Sequence, residues 1–201
     1  MADVGPALRV VDGIRLPPEC RSVLRPGELV RDSVGRSVQL PRYFYEVQSW
    51  DEALKVTISP HFGAFEFLDV DLREAEPLRG FPRYLPCGVV ALAAALERFR
   101  DAVGATVRIA ANGGYRSPAH QLSVPTSPHL WGAAADIYRI GNQYLDDLQR
   151  IERFGRMAQD VIPGVWVRPA GDRPGTSFDH LHVDLGYLTL VPRPEHLEEP
   201  Q

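Results

Sequence analysis

An α+β domain, with helices packed on a mainly antiparallel sheet, is predicted for this 201-residue chain by three features. First, apolar residues recur at three and four positions over Cys87–Val103 (Val89, Leu92, Ala93, Leu96, Phe99), which marks a helix with one buried stripe. Second, a similar stripe (Leu145, Leu148, Ile151, Phe154, Met157, Val161) marks a helix from about Gln143 to Val161. Third, short β-rich runs bounded by turn residues surround these helices, and the order of elements is that of an α+β domain.

In chain order, residues 1–45 are rich in Pro, Gly and Arg with short apolar pairs such as Val10-Val11, and read as an extended N-terminal arm with short strands. Residues 53–59 (ALKVTIS) contain the alternation of a strand, and the aromatic run His61–Phe67 packs at the core edge. Gly104 sits where a C-cap glycine ends the first long helix. A strand over Thr106–Ala111 then runs into Asn112-Gly113-Gly114, which must turn. Pro163-Gly164 stops the second helix. Strands at Val165–Arg168 and His180–Leu185 follow, separated by a polar loop, Pro169–Ser177. Residues 191–201, with three prolines and three glutamates, read as a flexible tail.

Hydrophobic residues make up 44% and charged residues 24% of the chain, enough to bury a core in one domain. The net charge of -4 argues against a partner that is nucleic acid, since phosphate-tracking proteins carry a basic excess. No apolar run reaches membrane-spanning length, and no basic stretch followed by an apolar one opens the sequence, so no membrane span and no signal peptide are expected. That places the chain in the cytoplasm or sends it out by a route such as lysis or a secretion apparatus. The two cysteines, Cys20 and Cys87, form no C-x-x-C and are expected as free thiols.

Chemistry concentrates late in the chain, where four of the six histidines lie between positions 120 and 182. Ser127-Pro128-His129 leads through Gly132 and three alanines to Asp136; small residues there allow close backbone approach. Pro128 and Gly132 oppose a long helix, so His129 is expected on a loop and Asp136 on the strand after it. In Asp179-His180-Leu181-His182-Val183-Asp184, a strand puts His180, His182 and Asp184 on one face and Leu181 and Val183 in the core. Such a polar face needs water, metal or partners, and a metal is the economical answer. Catalytic zinc takes three His, Asp or Glu ligands and leaves one position open.

These residues carry a resemblance. Ser127 to Asp136 fits S-x-H-x-x-G-x-A-x-D, and His182-Val183-Asp184 with Asp179 three residues before it fits a later H-V-D preceded by an acid. Gly114-Tyr115-Arg116-Ser117 resembles a G-Y-R-S turn. Together they are similar to the zinc D-alanyl-D-alanine carboxypeptidase family, whose fold is shared with hedgehog signalling domains, over roughly residues 60 to 190.

The resemblance implies a zinc peptidase domain over 46–190, with His129, Asp136 and His182 as zinc ligands and Asp179 as general base. Arg116 would steady the developing oxyanion. Many members carry Glu where this chain has Asp179, a shorter reach. By comparison with H-x-H branches of the same fold, His180 becomes a neighbour of the ligands or a substrate contact. Asp184 either orients a ligand His or caps the strand end. Trp131 and Trp166 either wall a cleft or join the core, while His61, His120 and His196 are expected outside the site. The implied activity is hydrolysis of peptidoglycan stem-peptide bonds next to D-alanine, as carboxypeptidase or endopeptidase. A zinc-stabilised module that binds cell-wall peptide without turnover is the alternative.

Overall fold

The computed structural model of the protein describes residues 7–68, 72–109 and 113–189. Its strands are β1 (Arg9–Asp12), β2 (Leu29–Arg31), β3 (Ser37–Gln39), β4 (Tyr43–Val47), β5 (Thr57–Ser59), β6 (Phe62–Gly63), β7 (Arg83–Pro86), β8 (Val107–Ile109), β9 (Ala134–Ile140), β10 (Gln143–Tyr144), β11 (Trp166–Val167) and β12 (Leu181–Asp184). The helices are α1 (Pro18–Leu24), α2 (Trp50–Lys55), α3 (Ala64–Phe67), α4 (Val89–Val103) and α5 (Leu148–Val161). All strand pairs are antiparallel, so the α+β class holds.

The larger sheet is built around β9, which pairs with β8, β10 and β12, while β11 lies beyond β12. Helix α4 carries the buried stripe read from the sequence, and Leu92, Leu96 and Phe99 are fully enclosed. Each such side chain contributes about 1.5–3 kcal/mol of burial. Gly104 closes the helix in the left-handed conformation, its N–H donating to the carbonyls of Arg100 and Asp101. Helix α5 lies against β11 and β12, and Gly155 permits the approach: a Cβ there would stand 3.0 Å from Val167 Cγ1. Val167, Leu181 and Val183 therefore face the helices, and the alternate residues of β11 and β12 face the other way.

Two expected elements differ in the structure. Residues 53–55 belong to α2 rather than to a strand, because Ser49 Oγ accepts from Glu52 N (3.1 Å) and Glu52 returns the bond to Gln48 N (2.5 Å). Within that run the strand is confined to Thr57–Ser59. The second long helix starts at Leu148 rather than Gln143. Gly141, at φ 55°, turns the chain so that Gln143-Tyr144 folds back on β9, and Asp147 caps α5 through Arg150 N (3.0 Å).

Residues 7–45 hold short strands as expected, but they also hold α1, and β4 pairs with both β1 and β7. Leu8, Val11, Leu16, Leu24 and Phe44 share one core cluster with α4 and the β9 sheet. The segment is thus packed into the body rather than projecting as an arm. Cys20 and Cys87 are separate buried thiols, and burial pushes Cys87 up to about 12. No helix among the described residues is long and apolar enough to cross a membrane. The tail at 191–201 lies outside the described residues.

Candidate metal centre

The glycine-rich turn at 113–117 is the hub of the centre. Its first carbonyl, Gly113, accepts from Asp136 N (2.8 Å), and its second, Gly114, accepts from His129 Nδ1 (2.6 Å). Arg116 N donates to His129 O (3.3 Å), and Arg116 Nη2 donates to Asp136 Oδ2 (2.9 Å). Gly114 is required by the packing, since a Cβ would meet the Phe67 backbone at 2.8 Å. His129 sits in a single 3-10 turn, Pro128–Trp131, ended by Gly132 at φ 62°. The loop-then-strand placement of His129 and Asp136 is as the sequence suggested.

The second limb is β12, where His182 lies directly across from Asp136. One ligand atom from each of His129, Asp136 and His182 falls within 4.8 Å of the other two. His182 Nδ1 is 2.6 Å from Asp136 Oδ1, and His182 Nε2 is 3.3 Å from Asp184 Oδ2. Asp184 Oδ2 thus faces the far nitrogen of this ring, while its Oδ1 accepts from Gly186 N (2.9 Å) at the strand end, so both expected contacts are present. His129 Nε2 is 3.4 Å from the same Asp136 oxygen.

The fit to a metal is tested by His129. A carbonyl can only accept, so the bond to Gly114 fixes the proton on Nδ1 and leaves Nε2 as a lone pair. That Nε2 is buried and has no hydrogen-bond partner. A buried acceptor aimed at a carboxylate oxygen, which itself offers no proton, calls for a cation between them. The residues present fit a metal ion.

Protonation at His129 and Asp136 agrees with ligand duty, whereas His182 would have to give up a proton. Burial pulls the His129 pKa below its ordinary value against the opposing charge of Asp136, so the ring stays neutral. Burial works against the ionised Asp136, but His129 and His182 outweigh it and hold the carboxyl well below the usual range. At His182 burial is likewise outweighed, here by the hydrogen bonds to Asp136 and Asp184, so its pKa rises; Arg168 pulls the other way. A neutral imidazole and an ionised carboxylate are the forms that bind metal.

The other expected site residues are distributed around this core. His180 Nε2 comes within 3.5 Å of Asp136 Oδ1, the atom on which all three imidazoles converge. Asp179 is largely exposed and touches the cluster through His180, with Oδ1 2.6 Å from His180 Nδ1. Trp166 stands edge-on to His182 at 5.8 Å between ring centroids and is half exposed. Trp131 is instead fully buried, its Nε1 bonded to Gln39 O (2.8 Å). His61 bonds to Glu97 and His120 accepts from Leu122 N; neither belongs to the three-ligand group. His196 lies outside the described residues.

One contributor was missed by sequence reasoning. Glu74 is buried and accepts from Ser117 Oγ (2.6 Å), Ser117 N (3.1 Å) and Ala75 N (2.7 Å), which pins the residue next to Arg116. No spacing rule links an acid to a turn 43 residues later. The serine of the G-Y-R-S run was its only trace.

No protein-family model, curated protein or solved structure matches this chain. The chemistry of the donor set therefore carries the functional reading.

Proposed function

We propose that this protein is a zinc-dependent peptidase of the hedgehog/DD-peptidase fold that hydrolyses peptidoglycan stem-peptide bonds next to D-alanine. One observation carries the reading: the buried Nε2 of His129, held without a proton, belongs to a group in which one ligand atom each from His129, Asp136 and His182 lies within 4.8 Å of the others. The cell-wall substrate is supported by the paired motifs around His129 and His182 and by the Gly114–Ser117 turn.

Zinc held by His129, Asp136 and His182 would supply Lewis acidity, bringing the pKa of a water down to about 7. His180 Nε2 faces the same space and receives the proton of the attacking water, while Asp179 holds the opposite ring nitrogen and stabilises the charged imidazole. The same pair returns the proton to the departing amine. Asp179 thus serves as base through His180. Arg116, anchored on Asp136, sets a positive charge beside the developing oxyanion, a contribution of about 3 kcal/mol for a well-placed donor. His182 is held from behind by Asp184.

The test is to incubate the metal-loaded protein with muropeptides, with and without a chelator, and to read the fragments by mass spectrometry. Chelator-sensitive release of D-alanine or of cross-link fragments is expected; intact muropeptides with every divalent metal would overturn the peptidase reading. A second reading, a zinc-stabilised module that binds the peptide without cleaving it, is favoured by the exposed position of Asp179 outside the ligand group. Peptide binding unchanged in Asp179→Ala, with no hydrolysis by either protein, would select it.

A further inference from the structure

The polar loop at 169–177 ends on a serine that the ligand set does not use. Ser177 N donates to Pro169 O (2.9 Å), and Gly171 N donates to Ser177 O (2.9 Å), so the two ends of the loop are tied together with Ser177 at the knot. Ala170 and Ser177 also form a short bridge. Closing the loop on itself gives Ser177 a fixed place just ahead of β12, three residues before His180.

Ser177 is 1% exposed, and its Oγ lies 3.4 Å from His180 Nε2, the hydroxyl's one side-chain partner among the described residues. A buried hydroxyl left unpaired costs about 1–3 kcal/mol, so this contact satisfies a need of the position. On the far side of the ring, His180 Nδ1 is 2.6 Å from Asp179 Oδ1. An ionised carboxylate only accepts, so the ring proton sits on Nδ1 and the lone pair on Nε2, where the hydroxyl donates to it. Asp136 Oδ1 faces the same nitrogen at 3.5 Å and has no proton to give. The Ser177 bond is long for an O–H donor, a hold that steers the ring yet yields to a water. Its burial keeps Ser177 from meeting a substrate carbonyl, which separates it from the nucleophile of a Ser-His-Asp triad despite the same order of atoms.

We infer that Ser177 is a positioning residue: its hydroxyl and the Asp179 carboxylate grip the His180 ring at opposite nitrogens, which keeps the Nε2 lone pair available and aimed at the space beside Asp136. The use of that lone pair on water rests on the peptidase reading above; the grip itself does not.

The experiment compares the zinc-loaded full chain with Ser177→Ala at neutral pH. Nitrogen NMR of labelled histidine rings reads where the His180 proton sits, and steady-state hydrolysis of a D-Ala-D-Ala peptide reads kcat and KM separately. Wild type is expected to show His180 as a single tautomer with the proton on Nδ1. In Ser177→Ala that signal is expected to shift towards a mixture, and kcat to fall about tenfold with KM and zinc content unchanged. A wild-type ring protonated on Nε2 would overturn the inference before any variant is made. A His180 signal unaltered in Ser177→Ala, or kcat at the wild-type value, would also overturn it. A ring that responds as expected in a protein that leaves muropeptides intact would uphold the grip and overturn the peptidase reading alone.

Discussion

Asp179 and His180 form a dyad: the carboxylate lies 2.6 Å from His180 Nδ1, and the opposite nitrogen of that ring points at Asp136 from 3.5 Å. The acid expected to act directly on water stands one imidazole further out. Its influence passes through a ring that can take a proton on one side while remaining held on the other.

This arrangement orders the effects of substitution. His180→Ala is expected to lower turnover by about 10²–10⁴-fold, as for loss of a general acid-base group. Asp179→Asn should cost less, because the ring remains and only its orientation weakens. Zinc content should stay at the wild-type level in both, since neither residue belongs to the three-ligand group. Steady-state hydrolysis of a D-Ala-D-Ala peptide beside elemental analysis of the same samples checks this.

Wild type should carry about one zinc per chain, and His129→Ala should lose most of it. The variant removes Nε2, which has no other partner, together with the Nδ1 bond to Gly114 O, so the metal should leave while the fold survives with lower stability. Metal analysis after gel filtration, with circular dichroism on the same fraction, separates loss of metal from loss of structure.

Zinc affinity should depend on pH in two stages. The raised pKa of His182 means that acidification first protonates this ring, and zinc must then displace one proton. Affinity should fall about tenfold per pH unit below that point. The lowered pKa of His129 delays its protonation, so the slope steepens towards two protons only at lower pH. Asp136, held well below the carboxylate range, contributes nothing until lower still. Competition titrations with a chromophoric chelator across the acidic range read the slope.

Glu74→Ala should destabilise the fold by about 1–3 kcal/mol, because Ser117 Oγ and N lose a buried acceptor. It should also weaken zinc binding, since the same turn supplies the carbonyls that hold His129 and Asp136. Glu74→Gln keeps an acceptor and should recover part of both losses. Urea unfolding of the metal-free chain and zinc titration of the folded chain measure the two effects separately.

Much of the centre was legible because its signals are local. The small residues between His129 and Asp136, and the alternation through His182-Val183-Asp184, state which side chains must be polar on one strand face. Helix α4 was equally plain, since five apolar residues at helical spacing admit no other period. Alternating Leu54, Val56 and Ile58 hid α2, although Ser49 and Glu52 already spelled its capping box. The start of α5 was misjudged because Leu145 continues the helical stripe yet is buried from the turn beyond β10. The sheet of β1, β4 and β7 escaped notice because its partners lie 31 to 42 residues apart and its strands are short. Glu74 acts through a contact with Ser117 far along the chain, which no single segment displays.

The direct pairing of Asp136 with His182 makes ligand geometry a report on strand alignment. A slip of one position along β12 would turn His182 inward and carry Leu181 or Val183 outward, abolishing the site while burying a charge-bearing ring in oil. If the centre takes zinc as proposed, chains that have zipped correctly would be the ones able to capture the ion, and capture would withdraw them from the misaligned pool. Zinc uptake during refolding would then count the molecules whose β9 and β12 have found their proper match.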